Sequence, residues 1–375
     1  MEHINFDRSD TKAIKGAAVL LMLFHHLTGF PYRFPVGFGG FSTLIPAGYL
    51  EAFGTAAKIC VPMFFFLGGY GLYCKWKSGS LSITKSILSL YRSYWKVFFV
   101  FVPVALVFFR RSGENISPLC AIYDISAPTV LITTLISDFT AFTSTLNGEW
   151  WFLRSYICIL PLGWLFCRAT RRSPGFWADL MLVLAIELLT QEIVPAVAGL
   201  ARFSGLSSNL LYSCFLALPQ DAVSFFLGIV FARADGLCKL KAMVKSLPCS
   251  ALVSCVGIGV LFWSRSFLQN FPGELFYCPL LTVLLSVVLD QIRLLKKGFL
   301  FLGGHSTNIW LIHSFYCYYF LEVTKIVYGT KNLWIDLAVL LALSVISSLL
   351  LEQFYAGLGR LAKTVRRRAA YTKTR

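Results

Sequence analysis

Long apolar segments separated by short polar connections are the feature that most constrains how this chain folds. A helix that crosses a bilayer needs roughly 20 mostly apolar residues, and ten segments qualify. They lie near residues 14–30, 47–74, 89–109, 150–168, 176–200, 221–236, 248–265, 275–292, 299–322 and 333–355. With 57% hydrophobic and 14% charged residues, the composition is far from that of a soluble protein. We therefore predict an all-α, polytopic membrane helix bundle of about ten transmembrane helices.

Two further regions complete the predicted architecture. Residues 126–146 are apolar but are interrupted by Pro128 and Asp138, so we predict a re-entrant or interfacial segment there. The residues from about 360 onward form a short basic tail. No appended soluble domain is expected, and residues 1–375 are predicted to form one membrane-embedded domain, within which any chemistry has to be built.

The net charge of +16 is spread along the chain instead of being gathered on one soluble face. With a cytoplasmic N-terminus, most of the 34 lysine and arginine residues fall on the inner side of the ten predicted helices. This asymmetry follows the positive-inside rule, so both termini of this integral membrane protein are expected to be cytoplasmic. Membrane lipids are expected partners. Nucleic acid is not, because its recognition needs a clustered basic surface.

The 11 cysteines mostly lie inside the predicted helices, and no C-x-x-C pair occurs. We interpret them as small apolar packing residues. The sequence therefore predicts neither a disulfide framework nor a metal site.

Two histidines, His25 and His26, lie well inside the first apolar segment, which begins at Lys15. Ionisable side chains are costly inside a bilayer and usually mark a functional site. Lys15 and His26 are eleven residues apart, about 20° from three full helical turns and roughly 16 Å along the axis. A cation and an imidazole on one face suit a long donor with an anionic end, such as an acyl-CoA, whose transfer to a hydroxyl needs a base. The alternative is an anchoring lysine and a histidine hydrogen-bonded to another helix; His25 is expected to support His26.

A second polar strip occurs late in the chain. Ser306 and His313 are seven residues apart, within about 20° of each other on a helix. They are predicted to line the same cavity as His26. The alternative is hydrogen bonding between helices, for which membrane bundles routinely use such side chains.

Two more clusters supply candidate binding groups. Glu149 and Arg154 lie at the start of the fourth predicted helix, about 140° apart, and an arginine inside an apolar segment needs a partner or a wet cavity. Arg92 and Lys96 begin the third predicted helix. They are expected to hold either the phosphates of a nucleotide-bearing donor or anionic lipid.

The fifth predicted helix keeps a second class of function open. It contains Asp179, Glu187, Gln191 and Glu192, without an obvious basic partner in the sequence. Such a series of polar groups is typical of a proton path. The alternative function is therefore a transporter or flippase for a glycan or its precursor.

Four motifs carry a resemblance to a known family. They are Lys15 followed by ten residues and His26, the segment 61–71, the segment 150–153, and the segment 303–313. Together these resemble motifs of acyltransferase family 3, integral membrane proteins that O-acylate surface and secreted carbohydrates. The family often has two arginines three residues apart where this chain has Arg92 and Lys96.

The resemblance implies a cytoplasmic acyl-CoA donor, usually acetyl-CoA, no bound cofactor, and a carbohydrate acceptor. It places His26 at the family's essential histidine and Lys15 at its basic partner. The expected function is transfer of an acyl group, as in acetylation, to a hydroxyl of a cell-surface or lipid-linked carbohydrate. The predicted site residues are His26, His25 and His313 for catalysis, Lys15, Arg92 and Lys96 for donor binding, and Glu149, Arg154 and Ser306 for the acceptor side or support.

Overall fold

The structure is a computed structural model that describes residues 5–109, 127–189, 223–268 and 273–373, with the backbone alone from residue 366. These residues form helices and turns, with no strand among them. The α-helices are α1 (Arg8–Thr28), α2 (Ala47–Ala56), α3 (Cys60–Lys77), α4 (Ile83–Phe108), α5 (Pro128–Phe139), α6 (Trp151–Ala169), α7 (Phe176–Leu188), α8 (Val223–Arg233), α9 (Gly236–Lys245), α10 (Ser250–Phe267), α11 (Glu274–Gln291), α12 (Arg293–Ser314), α13 (Leu321–Val327) and α14 (Leu333–Lys373). The predicted all-α class is confirmed.

Six helical segments of the described chain are long and apolar enough to cross a membrane. They are Ala47–Lys77, Ile83–Phe108, Gly148–Arg172, Ser250–Phe267, Glu274–Gln291 and Leu333–Val365. The predicted membrane bundle is thus confirmed, whereas the count of ten stays a prediction. The helices α1 and α12 are not among the six because their lysine, histidine and other polar side chains lower the mean hydropathy. Their histidines His25, His26 and His313 are nevertheless buried inside the bundle.

Three predicted segments have a different extent in the structure. The region 126–146 contains α5, whose 12 residues are fewer than a span needs. The helix α14 continues to Lys373, through the basic residues predicted as a tail, because alanine, leucine, lysine and arginine all favour helix. The segment 176–200 forms α7 up to Leu188; its remainder, with Gln191 and Glu192, lies outside the described residues.

The first helix begins and ends earlier than the sequence predicts. Asp7 caps it by accepting a hydrogen bond from the Asp10 amide, and the Asp10 side chain accepts one from the Asp7 amide. Gly29 ends the helix, donating its amide hydrogen to the His25 carbonyl at 2.8 Å. His25 and His26 therefore lie in the last turn of α1, and the expectation that they lie well inside the helix is wrong.

The helices α1 and α12 run parallel and in very close contact. A Cβ atom on Gly16 would lie 2.1 Å from the Phe299 carbonyl oxygen, and one on Gly303 would lie 1.8 Å from the Lys12 carbonyl oxygen. Only glycine permits this approach, as at other membrane helix interfaces. Because Gly16 to His26 and Gly303 to His313 are both ten residues, the two histidines emerge at the same level.

A buried ionic cluster fixes the Arg8 end of α1 against three other helices. The Asp10 carboxylate lies 2.7 Å from Lys241 Nζ and 2.8 Å from Lys296 Nζ. Asp290 contacts both of these lysines as well as Lys245. Paired and hydrogen-bonded charges of this kind are costly to break, so the cluster holds α1, α9, α11 and α12 together.

Asp179, in the fifth predicted segment, has a basic partner that the sequence did not indicate. Asp179 forms a hydrogen-bonded ion pair with Arg233, on α8, and Arg233 also donates to the Ser173 carbonyl oxygen at 3.0 Å. The partner is 54 residues away in the sequence, and only helix packing brings it near. Asp179 therefore joins two helices.

Candidate active site

One cavity of about 330 Å³ contains most of the predicted site residues. Small-molecule sites usually have volumes of this order or larger. The predicted residues that line it are Lys15, His25, His26, Glu149 and Ser306. The other lining residues are Met22, Phe30, Arg33, Lys58, Cys60, Val61, Phe64, Leu90, Gly148, Trp151, Phe152, Leu153, Tyr156, Thr307 and Trp310. The cavity therefore extends along α1 from Lys15 to the histidines and on to the loop that follows.

His26 has its two ring nitrogens in different surroundings. The Tyr318 hydroxyl donates to the His26 carbonyl oxygen at 2.6 Å, so its oxygen is left to accept from His26 Nδ1 at 3.1 Å. Nδ1 therefore carries the hydrogen of the neutral ring. Nε2 keeps a lone pair and has no partner among the described residues. This tautomer suits a general base.

The two neighbouring histidines are held in the same tautomer by backbone carbonyl groups. His25 donates from Nδ1 to the Gly54 carbonyl oxygen at 2.8 Å, and His313 donates to that of Trp310 at 2.7 Å. Their ring centres lie 5.0 Å and 4.7 Å from that of His26. A carbonyl oxygen can only accept, so Nδ1 carries the hydrogen in both. His313 is fully buried and supports His26 from outside the cavity.

A π-helical segment, Phe315–Tyr319, follows α12 directly and carries two tyrosines that contact the rest of the site. Such segments are rare and frequently lie at functional sites. It places Tyr318 on His26, while Tyr319 accepts a hydrogen bond from the Gly148 amide at 2.8 Å. At its start, the Ser314 hydroxyl bonds the Asn147 side chain. The wider turn thus connects His26 to the loop that carries Glu149.

The loop before α6 is ordered from within by a buried carboxylate. Asp138 accepts hydrogen bonds from the amides of Thr145 at 3.1 Å and Leu146 at 2.6 Å. The backbone carbonyl of Asp138 accepts from the Tyr94 hydroxyl. Asp138, which the sequence marked as an interruption of an apolar segment, therefore fixes the path of the chain into Asn147 and Glu149.

Glu149 finds its partner across the cavity. Its carboxylate lies 2.7 Å from Arg33 Nη1, on the turn that follows α1, and the two residues are 116 positions apart. Burial lowers the pKa of Arg33, but the Glu149 carboxylate outweighs burial, and the pKa is raised above its ordinary value. Arg33 is therefore a permanent cation in the cavity that His25 and His26 line.

Four predicted site residues do not line the cavity: His313, Arg154, Arg92 and Lys96. The expectation that His313 lines it together with His26 is therefore wrong. Arg154 donates to the Phe142 carbonyl oxygen at 2.7 Å. Arg92 and Lys96 are exposed on α4, and Lys96 Nζ lies 5.5 Å from the centre of the Tyr355 ring. Neither Arg92 nor Lys96 therefore shares the cavity with His26.

Sequence reasoning missed two residues that contact the predicted site. Arg33 lies between the first two predicted helices, and Tyr318 is one aromatic residue among many in an apolar segment. One signal was present for the histidines: the ten-residue spacings from Gly16 to His26 and from Gly303 to His313 are equal. No local pattern indicates the pairs that Arg33 and Tyr318 form.

Replacing Tyr318 by phenylalanine tests the tautomer assignment. Loss of the hydroxyl leaves His26 free to adopt the other tautomer, and we expect kcat to fall about tenfold, the equivalent of one hydrogen bond. KM should change little, and the pH dependence of kcat should shift. Tyr316→Phe is the control, because the Tyr316 hydroxyl bonds Ser347 on α14 instead of a histidine. Equal kcat values for the two variants would contradict the assignment.

The fold and the site thus define a membrane-embedded helical protein in which His25 and His26 line an internal cavity. A family model described as an acyltransferase domain matches residues 10–353. The chain therefore belongs to acyltransferase family 3, as its motifs predict, and it is a membrane enzyme that transfers acyl groups other than aminoacyl groups. Neither the curated proteins nor the solved structures contain a match to it.

Proposed function

We propose that this acyltransferase moves an acyl group, in the simplest case acetyl, from acyl-CoA to a hydroxyl of a cell-surface or lipid-linked carbohydrate. The observation that carries the proposal is the single cavity that joins Lys15 to His26. In the proposed orientation both termini are cytoplasmic, and the enzyme lies in a bacterial cytoplasmic membrane. The donor then enters from the Lys15 end.

The shape of the cavity supports a long, thin donor. Lys15 and His26 are roughly 16 Å apart along α1, and the lining between them is largely apolar, with Met22, Val61 and Phe64. No acidic side chain of the described chain forms an ion pair with Lys15. A phosphate at Lys15 and a thioester at His26 would fit this spacing, with the uncharged arm of the donor between them.

The tautomer of His26 supports a base-catalysed transfer. His26 Nε2 takes the proton of the acceptor hydroxyl while its oxygen forms a bond to the thioester carbon. The tetrahedral intermediate then breaks its carbon–sulfur bond. The leaving thiolate takes the proton back from His26, which returns to its neutral form.

The lining near Glu149 supports a carbohydrate acceptor. Trp151, Phe152 and Trp310 line the cavity, and aromatic faces with a few polar groups are usual in small-molecule sites. Glu149 and Ser306 offer oxygen atoms for sugar hydroxyls. The transport alternative has less support, since Asp179 is engaged in an ion pair with Arg233.

Replacing Lys15 by glutamine tests the donor end. Loss of a charge-assisted contact of about 1.5–3 kcal/mol should raise KM for acetyl-CoA by roughly 10- to 100-fold and leave kcat nearly unchanged. Lys12→Gln is the matched control, because Lys12 is exposed on the same helix and does not line the cavity. An equal rise in KM for both variants would show a general electrostatic effect instead of a donor site.

The whole proposal is tested by two measurements on the wild-type protein. Acetyl-CoA should protect the purified protein against heating, and mass spectrometry should show an acyl increment on a surface glycan that disappears when the gene is deleted. Absence of both the protection and the mass increment would refute the proposal. Substrate flux in liposomes without thiol release would favour the transporter.

A further inference from the structure

We propose that Arg33 is a catalytic residue of this acyltransferase: its guanidinium donates hydrogen bonds to the thioester carbonyl oxygen and stabilises the oxyanion formed during transfer. The inference rests on the proposed thioester donor. In this mechanism Arg33 acts on the carbonyl oxygen while His26 acts as the base, and Glu149 positions the Arg33 guanidinium.

The position of Arg33 places it beside the base. Arg33 Cζ lies 4.5 Å from the Phe30 ring centre and 5.1 Å from that of Tyr318. The His26 ring centre lies 5.8 Å from each of the same two rings. Arg33 and His26 also line the same cavity. The Arg33 guanidinium and the His26 imidazole are therefore neighbours at one end of the cavity.

The hydrogen bonds of Arg33 leave it with free donors. Glu149 accepts from Nη1, whereas Nε is buried and has no partner in the part of the chain that the structure describes. The terminal Nη2 also has no hydrogen bond among the described residues, since the one side-chain bond of Arg33 there is made by Nη1. The two N–H groups of Nη2 are therefore the donors left for an oxyanion in the cavity.

Glu149 holds the guanidinium in one orientation. The Glu149 amide donates to the Asn147 side chain at 3.1 Å, and Asn147 is bonded to Ser314. The carboxylate is thus fixed to the same helix that carries His313. Preorganised donors of this kind need no reorganisation during the reaction, and they usually contribute the largest single stabilisation in acyl transfer.

The positive charge of Arg33 stabilises the negative charge that develops on the carbonyl oxygen. When the acceptor oxygen attacks, the electron pair of the carbonyl double bond moves to the carbonyl oxygen, next to the guanidinium. When the carbon–sulfur bond breaks, that pair re-forms the double bond and the thiolate leaves with the proton from His26. Arg33 keeps all its protons throughout and gains or loses no bond.

The test compares the variants Arg33→Gln and Arg33→Lys with Lys325→Gln. Each is expressed in the native host after deletion of the wild-type gene, and membranes are prepared from these cells. Lys325 is an exposed cation paired with Glu322 and controls for the loss of one charge.

Thiol release from acetyl-CoA is measured as kcat and KM. Donor binding is measured as protection from heating by a CoA thioether, which has no carbonyl group. For Arg33→Gln we expect kcat to fall about 10²- to 10³-fold, the loss typical of one oxyanion donor, with unchanged protection. Arg33→Lys should fall less, and guanidinium ions should partly restore the rate of Arg33→Ala.

Each outcome decides separately for the inference and for the proposed function. Wild-type thiol release with an unchanged kcat in Arg33→Gln would overturn the inference alone. Loss of thioether protection together with activity would assign Arg33 to donor binding or to folding, and would also overturn it. Absence of thiol release from the wild-type protein would refute the proposed function instead.

Discussion

Replacing His26 by glutamine will reduce kcat for acyl transfer by roughly 10²- to 10⁴-fold, the contribution usual for a general base. Glutamine keeps a hydrogen-bonding side chain of similar length, but it cannot take a proton from a hydroxyl. Protection from heating by acetyl-CoA should persist, because Lys15 and the apolar wall of the cavity are unchanged. The measurement is the rate of thiol release at saturating donor, with the amount of folded protein determined for each variant.

Two other histidines supply the comparison. His305→Gln should retain wild-type kcat, because His305 bonds Ser348 at 3.1 Å on α14 and does not line the cavity. His25→Gln should have an intermediate effect, since its ring bonds the Gly54 carbonyl and supports that of His26. A larger loss in His25→Gln than in His26→Gln would reverse the assignment of the base. Full activity of His26→Gln would refute the mechanism.

Replacing Gly303 by alanine will disrupt the contact between α1 and α12 and thereby remove most of the activity. The added Cβ would lie 1.8 Å from the Lys12 carbonyl oxygen, and a backbone atom cannot move away as the end of a side chain can. Overpacking of this kind costs about 1–3 kcal/mol and occasionally more. Separation of the helices would also part His26 from His313. We expect a lower midpoint of thermal unfolding and a lower kcat.

The same helix provides a matched control for this change. Gly298 lies on α12, and a Cβ atom added to it would meet no other atom within 4 Å, so Gly298→Ala adds the same methyl group to the same helix without a clash. It should leave both the midpoint and kcat unchanged. Gly16→Ala should reproduce the effect of Gly303→Ala from the other side of the contact. Equal midpoints for Gly303→Ala and Gly298→Ala would mean that the close approach is unimportant.

The apolar segments predicted the helices well, since hydrophobic length and composition are local properties. The predicted second and seventh segments, 47–74 and 248–265, nearly match the helical segments Ala47–Lys77 and Ser250–Phe267. The ends of α1 were less predictable. The caps Asp7 and Gly29 determine where α1 begins and ends. The prediction relied instead on the apolar segment that starts near Lys15.

The candidate site divides in the same way. Helical phase alone placed Lys15 and His26 on one face, and both line the cavity. Helical phase also placed Glu149 and Arg154 on different faces, but it did not indicate a partner for either. In the structure Glu149 pairs with Arg33, and Arg154 donates a hydrogen bond to the Phe142 carbonyl oxygen. The roles assigned to these residues stay predictions until the variants are measured.

The sequence by itself determined the class of fold, the family and the helix that carries the proposed base, because hydropathy, helical period and short motifs act over a few turns of one helix. Only the tertiary structure decided which atoms meet. The hydroxyl of Tyr318 sets the tautomer of His26 across 292 residues, and Arg33 meets Glu149 across 116. Such contacts depend on how closely the glycines let helices approach and on where a π-helical turn shifts the register. No local pattern in the chain encodes either distance.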